Sequence, residues 1–175
     1  MPPAPEYGRP EPTEYAAFYA GYVGGVPEGN LLDTLARQGK ETAELLGSLP
    51  VGKADYAYAP GKWTIKEVAA HMADAERVMT YRALRIARGD QTPLPGFDEN
   101  AWAPLSGAGQ RTMPDLIEEL STVRAATLTL FRHLPEAAPT RKGTANNASI
   151  TVRALAWIVA GHERHHLKVL RERYL

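Results

Sequence analysis

Apolar residues recur at intervals of three or four positions in four long segments of the chain, and strand signals are nearly absent. This spacing puts them on one side of each segment, which is typical of amphipathic helices packed on a common core. Residues 13–23 have the same character over a shorter length, and the glycines and proline of residues 24–27 end that helix. The four long helices are predicted to begin at Asn30, Thr64, Thr112 and either Ser149 or Thr151.

Two of these starts carry a capping box. Thr64 is followed three residues later by Glu67, and Thr112 is followed by Asp115. In such a pair the hydroxyl oxygen and the acidic side chain each accept a hydrogen bond from a backbone N–H group that the helix leaves free. Gly89 is the expected residue just beyond the end of the helix that begins at Thr64.

Residues 89–111 contain too many prolines and glycines for a long helix or strand. A helix of about 24 residues is roughly 36 Å long, and an extended loop of about 20 residues can cover more than that distance. The helix that follows can therefore run parallel to the one before it. The sequence predicts an all-α fold: a four-helix bundle with a long crossover between helices 2 and 3, plus a short N-terminal helix.

The length of 175 residues fits one domain, expected over residues 13–175. Residues 1–12 are predicted to be a disordered or extended, frayed N-terminal segment. The chain starts with neither a basic stretch nor an apolar core, so no secretory signal is expected. No apolar run approaches the length of a membrane span, and a cytoplasmic location is expected.

Charge and cysteine content exclude several kinds of function. Twenty Lys and Arg residues balance twenty Asp and Glu residues, so neither nucleic acid nor a membrane surface is expected as a partner. The chain has no cysteine, which excludes disulfides, thiolate metal ligands and a cysteine nucleophile. Any sulfur chemistry would need a thiol from outside the protein.

The histidines near the C-terminus are candidates for metal ligands. His162 and His166 are four residues apart, which on a helix stacks their side chains closely enough for both to bind one ion. They continue the apolar stripe of the last helix, and His165 flanks it. A catalytic ion usually needs a third protein ligand, and His71 lies near the core-facing stripe of another helix. His133, at the end of its helix, is interpreted as a partner of the helix dipole.

Two other interpretations of this cluster are open. The residues HERHH match the H-E-x-x-H pattern of zinc proteases, but only nine residues follow His166 and no substrate-binding sheet is predicted. Alternatively the cluster is a solvated basic tail that includes Arg164 and Lys168. Two aligned imidazoles on the apolar side argue against a tail, because buried polar rings without partners are costly.

Three segments resemble the DinB-like superfamily: PGKWTIKEVAAHMADAE (60–76), PGFDENAW (95–102) and TVRALAWIVAGHERHHL (151–167). The family element W-[ST]-x-x-[ED]-x-x-x-H is matched by Trp63, Thr64, Glu67 and His71. The terminal element H-x-x-x-H is matched by His162 and His166. The resemblance extends over nearly the whole chain.

The resemblance implies a four-helix bundle with a crossover between helices 2 and 3, and a divalent ion, often zinc or nickel. Carried over residue by residue, the metal ligands become His71, His162 and His166. Family members with known activity include S-transferases that use bacillithiol or a related thiol, and mycothiol-dependent isomerases. Others are named metal-dependent hydrolases or damage-inducible proteins. The implied partners are a small thiol and an electrophile, in detoxification or a stress response.

Three hypotheses of function follow. In the first, the ion binds the sulfur of a low-molecular-weight thiol and lowers its pKa, and the thiolate attacks an electrophile. In the second, the ion activates water for hydrolysis, with Glu163 or Asp74 as the base or as a partner of the ligands. In the third, the protein is a non-enzymatic, metal-stabilised binding module. Asp98 and Asn100 in the long loop are candidate substrate contacts. For the oligomeric state, both a monomer and a homodimer agree with the sequence.

Overall fold

The structure is a computed structural model that describes residues 4–175. The prediction of an all-α fold is confirmed, because four long helices form a bundle and the sheet has only two short strands. Along the chain, the helices are α1 (Ala20–Gly24), α2 (Leu31–Gly47), α3 (Ile65–Ala87), α4 (Glu99–Trp102), α5 (Met113–Arg132) and α6 (Val152–Val169), and the strands are β1 (Lys142–Ala145) and β2 (Ala148–Thr151).

Each bundle helix begins at a side-chain cap. The Asn30 side chain accepts a hydrogen bond from a backbone N–H of the first turn of α2. Thr64 and Thr112 form the two predicted capping boxes of α3 and α5. Thr151 accepts from the N–H of Ala154 at 3.1 Å, which sets the start of α6. These contacts are local in sequence, so the helix starts follow from neighbouring residues alone.

Two apolar clusters show how the bundle helices run relative to one another. One contains the start of α2 and of α6 together with the end of α3 and of α5. The other contains the opposite ends: Leu46 of α2, Ile65 of α3, Leu116 of α5 and Leu170 just after α6. Helices α3 and α5 therefore run parallel to each other and antiparallel to α2 and α6. As predicted, the crossover between α3 and α5 returns the chain along the bundle so that α5 runs parallel to α3.

The crossover folds back over the bundle. Gly89 leaves α3 with a φ of 83°, a conformation that glycine adopts without strain. The segment then contains α4 and two single turns of 3₁₀ helix, Ala103–Leu105 and Ala108–Gln110. The backbone of Leu94 pairs with β1, donating to Thr144 at 3.0 Å and accepting from Asn146 at 3.0 Å. This contact holds the middle of the crossover against the hairpin.

A β-hairpin departs from the expectation of almost no strands. Strands β1 and β2 pair antiparallel, with Lys142 opposite Thr151 and Ala145 opposite Ala148. Asn146 and Asn147 form the turn with positive φ angles of 49° and 61°, which asparagine tolerates better than most residues. Each strand has four residues, too few for an alternating apolar pattern to emerge.

The N-terminal segment is extended but packed onto the bundle over residues 4–11. The Tyr7 hydroxyl donates to the Phe131 carbonyl at 2.9 Å, and Trp157 Nε1 donates to the Tyr7 carbonyl at 2.8 Å. The frayed end therefore does not extend to Tyr7, and residues 1–3 lie outside the described range. The short helix expected over residues 13–23 is instead two 3₁₀ turns, Pro12–Glu14 and Ala17–Tyr19, followed by α1.

Within residues 4–175, no helix has both the length and the apolar character that crossing a membrane would require.

Candidate metal centre

Three histidine side chains from two antiparallel helices converge in the bundle. His71 lies two turns into α3, while His162 and His166 occupy successive turns of α6. His162 Nε2 lies 3.0 Å from His71 Nε2 and 3.1 Å from His166 Nε2. One ring nitrogen from each of the three residues lies within 4.8 Å of the other two. We call these three residues the histidine triad.

The histidine triad has the dimensions of a coordination site for one divalent ion. With metal–nitrogen bonds of about 2.0–2.1 Å, two imidazole nitrogens of a tetrahedral site lie roughly 3.3 Å apart. The observed separations from His162 are close to this value. Three nitrogens converging on one point also suit a cation better than a hydrogen-bonded arrangement, because a neutral imidazole carries only one N–H group.

The surroundings keep these imidazoles neutral, as metal ligands must be. Burial lowers the pKa of His71 to about 4, and the Glu99 charge opposes this only in part. Burial and the neighbouring His71 and His165 lower the pKa of His162 to about 3. Burial also lowers the pKa of His166 well below its ordinary value. At neutral pH each ring therefore offers a lone pair.

Two cavities border the histidine triad and share His166 in their walls. The larger, of about 420 Å³, contacts all three histidines and has mostly aromatic and apolar walls. Its polar lining comes from Arg82, Glu99, Asn146 and His165. The smaller, of about 280 Å³, contacts His165 and His166, and Trp63 forms part of both walls. Its remaining lining is more polar and includes Tyr58, Lys62, Asn100 and Tyr174.

Residues 16–22, which we call the N-terminal aromatic segment, form one wall of the larger cavity. The Tyr22 ring packs edge-on against His162 and His165, with ring centres 5.6 and 5.4 Å apart. This contact depends on Gly161, because a β-carbon there would overlap the backbone of Tyr22. A glycine directly before a candidate ligand therefore lets the segment close over the triad.

Glu163 does not fit the role of base that its position in HERHH suggests. It lies about 100° around the helix from His162, so its carboxylate points away from the triad towards α2. There it accepts hydrogen bonds from Thr42 Oγ1 at 2.6 Å and from Gln38 Nε2 at 3.0 Å. Arg124 lies 3.0 Å from the same carboxylate. With its oxygens bound in this way, Glu163 is a buried structural residue, which removes the basis for a zinc-protease interpretation.

The other acidic candidates are also placed differently from the prediction. Asp74 is half-buried beside Arg77 and does not line the larger cavity, so a role as base does not fit its position. Burial raises its pKa. Asp98 accepts hydrogen bonds from the N–H groups of Asn100 and Ala101 as the cap of α4. Asn100 lines the smaller cavity, so its contact with substrate stays a prediction.

His133 caps the end of α5, where its Nδ1 lies 2.8 Å from the Thr129 carbonyl oxygen.

The sequence did not assign a role at the site to Arg82, whereas Glu99 was expected near the mouth of the pocket together with Asp98 and Asn100, and it lines the larger cavity. Arg82 follows His71 by eleven residues, close to three full turns of α3, so a charged residue lay on the same face as His71. This spacing was the signal in the sequence that could have identified Arg82. Glu99 is one of three adjacent polar residues in the crossover, and only the folding of that segment over α3 brings it to the cavity.

Comparisons with known proteins agree with this fold. Residues 34–170 match the sequence profile of the DinB superfamily. Two relatives carry the name "Putative metal-dependent hydrolase". The one from Oceanobacillus iheyensis is 28% identical over 71% of this chain and 72% of its own length. The one from Bacillus licheniformis is 34% identical over 65% of each chain.

A solved structure shares the fold. YfiT from Bacillus subtilis, described as "a probable metal-dependent hydrolase with an unusual four-helix bundle topology", superposes with a TM-score of 0.67. The match covers 93% of this chain and 91% of YfiT at 19% sequence identity. The profile match extends over most of the chain, from α2 to the end of α6, and includes all three converging histidines. The chain therefore belongs to the DinB superfamily.

Proposed function

We propose that the protein is a divalent-metal-dependent S-transferase that joins a low-molecular-weight thiol to a small electrophile. The observation that carries the proposal is that two separate cavities share His166, a member of the histidine triad, in their walls. A reaction between two substrates needs two approaches to the reacting atoms, whereas hydrolysis needs only one besides water. The proposed ion is zinc or nickel, held by His71, His162 and His166.

The residues of the chain divide the two substrates between the cavities. The aromatic walls of the larger cavity suit the apolar body of an electrophile. The smaller, more polar cavity suits a thiol with hydrogen-bonding groups, and Asn100 and Lys62 are the proposed contacts there. When bound, a divalent ion would supply the positive charge that lowers the pKa of a nearby thiol. The chain has no cysteine that could compete for this position.

The S-transferase proposal predicts thiol-dependent conversion of monochlorobimane by metal-loaded protein. In this reaction a carbon–sulfur bond forms, the carbon–chlorine bond breaks, chloride leaves with the electron pair, and the thiol proton goes to water. Fluorescence should rise faster with protein plus bacillithiol or cysteine than with either component alone. Chelator or His166→Ala should reduce the rate to that of the uncatalysed reaction, while His133→Ala should not change it. The proposal would be contradicted if the metal-loaded protein failed to accelerate the reaction with every thiol tested.

Hydrolysis is the second candidate, supported by the position of Glu99. Its carboxylate lines the larger cavity together with the histidine triad, and its charge acts on both His71 and Tyr22. It is therefore a better placed proton acceptor for water than Glu163 or Asp74. The names of the two relatives point to the same class of reaction.

A hydrolase would depend on Glu99 and not on a thiol. Glu99→Gln should lower the rate of p-nitrophenyl acetate hydrolysis about 100-fold or more, with unchanged metal content. Asp74→Asn is the matched control, because it alters an acidic residue outside the cavity and should leave the rate unchanged. Equal hydrolysis by wild type and Glu99→Gln would exclude Glu99 as the base.

A further inference from the structure

Arg82 is a buried arginine without a carboxylate partner. Its side chain is 3% exposed and lines the larger cavity. One guanidinium nitrogen donates to the Pro95 carbonyl at 2.5 Å, and another lies 3.7 Å from the Met79 sulfur. Within residues 4–175 it forms no salt bridge, whereas the other buried arginine, Arg124, is paired with two glutamates.

A buried positive charge without a counter-charge is energetically costly, because neither water nor an anion replaces its lost hydration. A neutral carbonyl oxygen, a thioether sulfur and the Phe97 ring, whose centre lies 5.9 Å from Arg82 Cζ, compensate for only part of that loss. Glu99 is the acidic residue in the same cavity, but among the described residues it forms no salt bridge with Arg82. An anion supplied by a ligand would complete the environment of Arg82.

The position of Arg82 relative to the triad defines the shape of such a ligand. His71, Ala75, Met79 and Arg82 all line the larger cavity from one face of α3. The backbones of His71 and Arg82 are separated by eleven residues, or roughly 16 Å along the helix. Side chains on a helix lean towards its N-terminus, so the guanidinium extends towards the triad. The apolar stretch between them is bordered by Ala75 and Met79.

Asn146 adds a second polar group at the same end of the cavity. Its side chain packs against Gly96, where a β-carbon would overlap it, and Arg82 binds the carbonyl of the preceding Pro95. Both side chains line the cavity. An arginine beside an amide matches the hydrogen-bonding geometry of a planar oxyanion. The single positive charge and the nearby Glu99 favour a monoanion over a doubly charged phosphate.

We propose that Arg82 binds a carboxylate group of the substrate, whose apolar body extends along α3 to the histidine triad. The substrate class is therefore an apolar or aromatic small molecule with a carboxylate at the end remote from the reacting atom. This inference deepens the proposed function and rests on the larger cavity being the substrate site of that function. It assigns Arg82 to substrate binding and does not depend on which reaction follows.

The test compares three probes by calorimetric titration of the metal-loaded, full-length protein: 4-phenylbutyrate, the neutral 4-phenylbutyramide and 3-phenylpropyl phosphate. Wild type should bind the carboxylate most tightly. Arg82→Met should weaken carboxylate binding on the order of 10- to 100-fold, to the level of the amide. Arg82→Lys should fall between, because lysine keeps the charge without the forked geometry. Arg88→Met, an exposed arginine at the end of the same helix, is the control and should bind as wild type does.

Three results would overturn the inference: equal binding of carboxylate and amide, tighter binding of the phosphate, or unchanged carboxylate binding in folded Arg82→Met. Persistence in that variant would show that the carboxylate binds the metal instead. If circular dichroism shows that Arg82→Met does not fold, the Arg82→Lys variant is used instead. Carboxylate affinity equal to that of wild type in Arg82→Lys would contradict a two-hydrogen-bond contact between the guanidinium and the carboxylate. Carboxylate binding through Arg82 without thiol-dependent turnover would reject S-transfer and keep this inference. Thiol-dependent turnover together with carboxylate binding that does not depend on Arg82 would support S-transfer and reject this inference.

Discussion

Replacing His71 by alanine is expected to reduce bound divalent metal at least about tenfold from a level of about one ion per chain. The reason is geometric: the variant leaves only His162 and His166 on α6, and two imidazoles from one helix hold an ion poorly. Helix α3 would no longer contribute to the site. The measurement is elemental analysis of protein purified without a metal-affinity tag.

The control for this experiment is His133→Ala. It removes the same type of side chain from the end of α5, where His133 contacts the Thr129 carbonyl, and should leave the metal content unchanged. His166→Ala should behave like His71→Ala. A folded His71→Ala protein that retains its full metal complement would show that the ion binds elsewhere.

Arg124→Ala is expected to destabilise the fold by about 3–5 kcal/mol, because it leaves buried carboxylates without their counter-charge. Arg124 donates two hydrogen bonds to Glu76, of 2.9 and 2.8 Å, and a third to the Leu35 carbonyl at 2.7 Å. It also pairs with Glu163. The midpoint of thermal unfolding should fall by roughly 10 °C for a domain of this size.

Arg132→Ala is the matched control for Arg124→Ala. Arg132 lies in the last turn of the same helix and is exposed, so its removal should change the free energy of unfolding by no more than about 0.5 kcal/mol. Chemical denaturation of both variants measures the difference. Equal stability of the two variants would mean that the buried network contributes little to holding the bundle together.

This network explains why Glu163 is next to a candidate ligand without acting in the site. Through Arg124 and Glu163 it links all four bundle helices: Gln38 and Thr42 of α2, Glu76 of α3, Arg124 of α5 and Glu163 of α6. It therefore fixes α3 and α6 side by side, close to the position where His71 meets His162. Its residues hold the helices that carry the histidine triad and do not line the larger cavity.

The helix starts and the histidine convergence could be predicted because they depend on short-range patterns. A capping box such as Thr64 with Glu67 involves four consecutive residues, and the pairing of His162 with His166 follows from one helical turn. His71 could be predicted to join them because its place on the apolar stripe of α3 directs its side chain into the bundle. In each case the local sequence fixes the direction of the side chain.

Features that depend on contacts distant in sequence could not be predicted in this way. The hairpin is stabilised by pairing with Leu94 of the crossover, about fifty positions earlier in the chain. Tyr22 contacts His162 only because the N-terminal segment folds over the bundle. The position of Glu163 next to His162 favoured a catalytic role, but the helical rotation between consecutive residues directs it towards α2.

X-ray absorption spectroscopy at the metal edge of purified protein with its native ion tests directly whether the histidine triad binds the metal. We expect one ion with three imidazole nitrogens at about 2.0–2.1 Å for zinc, and a loss of imidazole scattering in His71→Ala. A first coordination shell without histidine, or a spectrum that His71→Ala leaves unchanged, would contradict the assignment of His71, His162 and His166 as the metal site.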